Sequence, residues 1–244
     1  MISPPLQAEN ISVEWLNESM AAHLGNEKIT GSHLMFVRHG ETVGNSEQIA
    51  HGQTESPLNE RGIQQAEHTA AMLKTWDRAY QRVYASPLSR AHQTGEKISQ
   101  SLALPLHTHD GLMEGFLGDW EGITYKELAE VEFARRSIED DDFEGHNGES
   151  PNRLAQRMVS AITEIREKHL GENIIIVSHG AAIAHALSIL LDTKPIFGPG
   201  YIMHNSAVTE VKLHPAAELT HLNYHEHIPD TLKTSPHPKG DNKK

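Results

Sequence analysis

Apolar residues recur along this chain in two alternating patterns. Residues 34–37, 83–85 and 174–177 are short continuous apolar runs ending near Gly or Ser, the pattern of buried strands. Between them the spacing changes to the helical period. Residues 60–75 place Ile63, Ala66, Ala70 and Leu73 on one face, and residues 151–169 do so with Leu154, Met158, Ile162 and Ile165. Residues 88–102 predict another helix, and so does the Ala-, Ile- and Leu-rich stretch after Gly180. Residues 208–213 and 219–224 predict late strands, residues 105–122 an irregular Gly-bearing stretch, and residues 138–150 an acidic solvated loop. Near the start, Val13, Leu16, Met20 and Leu24 predict a short amphipathic helix.

Strands alternating with helices predict an α/β three-layer sandwich, a mostly parallel central sheet with helices on both faces. Sites in such sheets form beyond the carboxyl ends of the strands. The domain is expected over residues 32–228. Residues 1–31 read as an extension packing on or flanking it, and residues 229–244, rich in Pro and ending in lysines, as a disordered tail.

Composition narrows the function classes. At 244 residues, 37% hydrophobic and 22% charged, the chain has the makings of an ordinary globular core. No window approaches a membrane span, and the first residues lack the basic and apolar regions of a signal peptide, so a cytoplasmic location is expected. With no cysteine there is no disulfide, thiol nucleophile or thiolate metal site. A formal net charge of −12 argues against nucleic acid or an anionic membrane as partner. Such a chain holds phosphate only where arginines converge locally.

Two strand ends offer that. His39 follows L-M-F-V-R and His179 follows I-I-I-V-S, each with a glycine next. Arg38 beside His39 supplies a fixed cation, and the helix after Gly180 points its N-terminal amides at the same crevice. In S-P-L-S-R-A-H-Q-T, Ser86 is expected to cap the next helix with Pro87 at its first position, leaving Arg90 on the first turn. A lone histidine at a strand end, or a lone helix arginine, is more often structural. Together these residues describe an anion site.

R-H-G-E-T with Asn45, S-P-L-S-R-A-H-Q-T, L-M-E-G-F-L-G-D-W-E-G and V-S-H-G occur in that order, and together they resemble the histidine phosphatase superfamily, the phosphoglycerate mutase-like family. The likeness runs from about residue 34 to about residue 213. It implies a metal-independent phosphatase of small phosphomonoesters, with His39 as the phosphorylated histidine. Arg38, Arg90 and His179 match the phosphate clamp, Asn45 a further pocket position, and Glu114 the general acid and base. The Gly180 amide is a candidate further donor, and Thr42, Gln53, Thr54 and His204 are candidates for the pocket rim. No cofactor and no metal are implied. G-E-T and L-G-D-W-E-G resemble the phosphatase branch; mutase-type phosphoryl transfer and a catalytically weak phospholigand-binding module are the alternatives.

Asp119 and Glu121 are rival acids whose place around Trp120 points to turn and packing roles. Glu55 and Ser56 depart from the shorter loop common in relatives, so substrate preference is not carried over there. Of the 18 histidines, His51, His68, His92, His107 and His109 read as surface residues, and H-E-H at 225–227 as a weak metal candidate at most. The expected partner is a small phosphorylated metabolite; a homodimer stays open.

Overall fold

The computed structural model describes residues 32–131, 139–193, 201–213 and 217–234. The expected helix within residues 12–24 lies outside them.

The strands are β1 (His33–Arg38), β2 (Arg82–Ala85), β3 (Leu106–Thr108), β4 (Ile174–Ser178), β5 (Val208–Lys212) and β6 (Glu218–Tyr224). They form one sheet in the order β3-β2-β4-β1-β5-β6. The four strands from β3 to β1 run parallel, while β5 and β6 add antiparallel pairs on the far edge. The long helices are α2 (Glu60–Lys74), α3 (Ser89–Leu102), α5 (Pro151–Lys168) and α6 (Gly180–Leu190); α1 (Val43–Glu47) and α4 (Tyr125–Glu130) are short. This is the expected α/β sandwich.

Because β1 and β4 are covered on both faces, residues 34–37 and 174–177 within them are uniformly apolar rather than alternating. Leu34, Phe36, Ile174 and Ile176 face α5 and α6, meeting Leu154, Met158, Ile162 and Ile183. Met35, Val37, Ile175 and Val177 face α2 and α3, meeting Ala70, Leu73, Ala91 and Ile98. A small third cluster gathers Ala50, Trp120, Leu128 and Phe143 away from the sheet.

Several local expectations change. Ile63 is 39% exposed, so the buried stripe of α2 is carried by Ala66, Ala70 and Leu73 with the polar Gln65 and Thr69. The irregular stretch 105–122 contains β3, a strand of three residues held parallel to β2. Residues 139–150 are not merely solvated: Phe143 and His146 are buried, and the His146 ring stacks on Trp120 at 4.2 Å. The first residues of the expected tail belong to the fold, since Leu232 O accepts from Gln65 Nε2 at 2.7 Å and Thr234 Oγ1 donates to Asn205 at 2.9 Å.

Candidate active site

The parallel neighbours β1 and β4 end side by side, Arg38 opposite Ser178. The following residues, His39 and His179, therefore face each other with ring centroids 5.1 Å apart. Gly40 allows the chain to turn away, because a Cβ there would meet Gly62 O of α2 at 2.3 Å. His39 is 4% exposed and its Nδ1 lies 2.6 Å from Gly40 O. A carbonyl only accepts, so Nδ1 carries the proton and Nε2 keeps its lone pair. Burial, then Arg90 and Arg38, push the imidazole well below the usual histidine range. It is a neutral base at physiological pH.

Arg90 sits on the first turn of α3 as expected, though Ser86 does not cap that helix. The Ser86 amide is still bonded to Val177 O at 3.0 Å in sheet register, and α3 begins three residues later. The α3 amide at Ser89 instead donates to Glu55 at 3.1 Å, and Ser56 Oγ accepts from Gly44 N at 3.1 Å. The loop carrying Glu55 and Ser56 is thus tied to α1 and α3. Arg90 donates through Nε to His179 Nδ1 at 3.2 Å, through one terminal nitrogen to Gly52 O at 2.7 Å and through the other to Thr54 O at 3.1 Å. A guanidinium has five N–H groups, so two remain for a ligand. His179 Nε2 pairs with Ser86 Oγ at 2.8 Å. With both ring nitrogens bonded to protein, His179 here orients Arg90 rather than presenting a donor of its own.

Arg38 donates to Met203 O at 2.6 Å, while its buried Nε has no protein partner among the described residues. Burial pulls both guanidiniums below their usual range. Two desolvated cations beside a buried donor of this kind make an anion site.

Glu114 closes the other side. Its Oε1 accepts from Gly115 N and Ala182 N, both at 2.9 Å, and Oε2 from Ala181 N at 3.2 Å. The α6 amides expected to face phosphate therefore hold this carboxylate, while Gly180 packs on Arg38, its Cβ position 3.4 Å from Nε. Oε2, with one bond, retains a lone pair for a neighbour.

The rim residues fall into distinct roles. Thr42 is fully buried and serves as the N-cap of α1 in a capping box with Asn45. Gln53 Nε2 donates to Glu114 O at 3.0 Å. The Thr54 hydroxyl donates to Glu121, whose carboxylate also takes Gln53 N at 2.7 Å. Glu121 thus fastens the loop whose carbonyls hold Arg90, and Asp119 is tied to Asn147 Nδ2 at 2.7 Å. His204 lies near Arg38, stacked on His225 at 4.0 Å. His227 turns away to Thr69 at 2.8 Å, because β6 ends before the H-E-H segment. His51 is not a surface residue: both ring nitrogens are shielded and the ring packs against Gly44.

Two neighbours of the site carried no sequence signal. Asn205 Nδ2 donates to Asn45 Oδ1 at 3.2 Å and to His39 O at 3.3 Å. Tyr125, on the first turn of α4, hydrogen-bonds Asn45; burial raises its hydroxyl against the pull of Arg38. Both depend on loops brought together only in the folded chain.

A buried neutral histidine with a bare Nε2, two arginines and a carboxylate at a helix N-terminus define the class: an α/β protein built for phosphoryl transfer. The family profile described as Histidine phosphatase superfamily (branch 1) matches residues 34–224, and the chain belongs to that superfamily as a phosphatase. It is 34% identical over 165 residues to Phosphoglycerate mutase-like protein 4 of Arabidopsis thaliana, covering 65% of this chain and 70% of that one. It is 36% identical over 156 residues to the metal-independent phosphoserine phosphatase of the same plant, covering 62% and 65%. A solved phosphoserine phosphatase from Entamoeba histolytica, in complex with phosphoserine, superposes with a TM-score of 0.73 at 28% identity, covering 81% of this chain and 100% of that one. Among the described residues no helix is long and apolar enough to cross a membrane.

Proposed function

We propose that this chain hydrolyses small phosphomonoesters through a phosphohistidine on His39. Nε2 of His39 attacks phosphorus while the ester P–O bond breaks. Glu114 Oε2 delivers a proton to the departing oxygen. The carboxylate so formed takes a proton from water, whose oxygen attacks phosphorus, releases Nε2 and yields phosphate. Arg38 and Arg90 stabilise the charge spread over the non-bridging oxygens, so the scheme needs no metal.

The observation that carries this reading is the His39–Gly40 hydrogen bond, which fixes the tautomer with the lone pair on Nε2 of a ring that feels both Arg90 and Arg38. Relatives that act on phosphoserine make a phosphorylated amino acid or a comparably small metabolite the first substrates to screen. His39→Ala is expected to abolish hydrolysis of p-nitrophenyl phosphate, and the wild-type protein to trap an acid-labile, alkali-stable phosphoenzyme. Retained activity in the variant overturns the phosphohistidine mechanism.

A further inference from the structure

Arg157, on the second turn of α5, lies outside every motif considered so far, yet all five of its N–H groups are matched to acceptors. Nε donates to Glu149 Oε1 at 2.8 Å and one Nη2 hydrogen to Glu149 Oε2 at 2.7 Å. The two hydrogens on Nη1 go to Gly111 O and Met113 O, each at 3.0 Å. The last, on Nη2, goes to Glu114 O at 3.1 Å. That carbonyl also accepts from Gln53 Nε2 at 3.0 Å, so both of its lone pairs are engaged. A bidentate carboxylate holds one edge of the guanidinium, and three backbone carbonyls just before and at Glu114 take the rest.

We propose that Arg157 is the positioning residue for Glu114, acting through the backbone and not touching substrate. The inference rests on the phosphohistidine reading above. The anchor is rigid because Leu154, Met158 and Ile162 of the same helix are buried in the sheet core. Glu149 completes it: its amide donates to Phe116 O at 2.8 Å, so the segments on either side of Glu114 close onto one ion pair. The Glu114 carboxylate reaches the α6 amides only if its Cα is held where these bonds put it. Lysine cannot replace the fork, since its three donors radiate from one nitrogen.

The test compares Arg157→Gln and Arg157→Lys with the wild type by rapid-quench kinetics. An alkyl phosphomonoester needs a proton on its leaving oxygen, whereas p-nitrophenolate departs without one. Phosphorylation by the alkyl ester is expected to fall at least 30-fold in both variants. The p-nitrophenol burst rate and inhibition by inorganic phosphate are expected to change less than threefold, because the arginine clamp is untouched. Equal loss on both esters, or weaker phosphate inhibition in step with the loss, overturns the proposal and makes Arg157 merely structural. Should either variant fail to fold, Gln53→Ala removes the other donor to Glu114 O and is expected to show the same asymmetry at about tenfold; symmetry there refutes the idea equally. Absence of a burst in the wild type together with an active His39→Ala protein defeats the underlying mechanism instead.

Discussion

Replacing Glu121 by alanine separates two roles that a carboxylate in the third motif can play. Its Oε1 takes the Gln53 amide at 2.7 Å and Oε2 takes the Thr54 hydroxyl. The residues on either side of Gln53 are Gly52 and Thr54, whose carbonyls accept two of the three protein bonds of Arg90. Gly52 turns at φ +54°, and a Cβ there would meet Glu121 Oε1 at 2.3 Å, so loop and carboxylate are fitted to each other. Hydrogen bonds to a charged acceptor contribute about 1.5–3 kcal/mol each. Glu121 is partly exposed, so water replaces much of that, and a net loss of about 1.5–3 kcal/mol is expected from the pair. If half or more of this loss appears as disorder of Arg90 in the transition state, kcat/KM falls roughly 3- to 150-fold, at about 1.4 kcal/mol per tenfold. The loss should be the same for p-nitrophenyl phosphate and for an alkyl phosphate, with inhibition by inorganic phosphate weakened in parallel. Steady-state kinetics on both esters with phosphate as competitor measure all three. A loss confined to the alkyl ester, with phosphate inhibition intact, would show that Glu121 is the acid and refute the positioning argument.

Two further outcomes follow from buried ionisable groups. Glu210, fully buried on β5, accepts from Tyr80 Oη at 2.5 Å and pairs with Arg78 at 2.8 Å; Glu210→Ala strands the buried Tyr80 hydroxyl, while Arg78 keeps Asp77 and His33, and should cost about 1–3 kcal/mol in urea denaturation. A change under 1 kcal/mol there would mean the cluster is solvated. His39 and His179 are held well below their usual range by burial, then by Arg90, and His227 is lowered to about 4. The unfolded chain therefore binds more protons below pH ~6.5, so stability is intact above that value and falls on acidification, by at most about 1.4 kcal/mol per pH unit for each histidine. A melting temperature flat from pH 7 to 5 would contradict it.

The elements that sequence patterning marked most clearly are those with the most apolar surface to bury. The uniformly apolar runs of β1 and β4 and the spaced Leu, Met and Ile of α5 have no other way to hide their surface. β3 escaped because Leu106, His107 and Thr108 form an edge strand, where a single apolar residue suffices. The site was half legible. His39, Arg90 and His179 stand at element ends in recognisable motifs. Arg157, Glu149 and Asn205 work through backbone carbonyls or other side chains far away in sequence, and no periodicity marks such a contact. Glu121 was visible, but its purpose depended on which loop it met.

These contacts divide the site into two parts with different supports. His39, His179 and the start of α3 are placed by strand register and by the helices packed on the sheet, so they cannot shift without disrupting the core. Glu114, Tyr125 and the loop at residues 144–150 instead belong to the segment around the small Trp120 cluster, joined to the rest through Glu121, Arg157 and a few backbone bonds. Substitutions that reshape this second part cost a few polar contacts rather than a core. The frame therefore lets the Glu114 side of the pocket vary while His39 and His179 stay fixed at the strand ends, as a fold that hosts many functions allows.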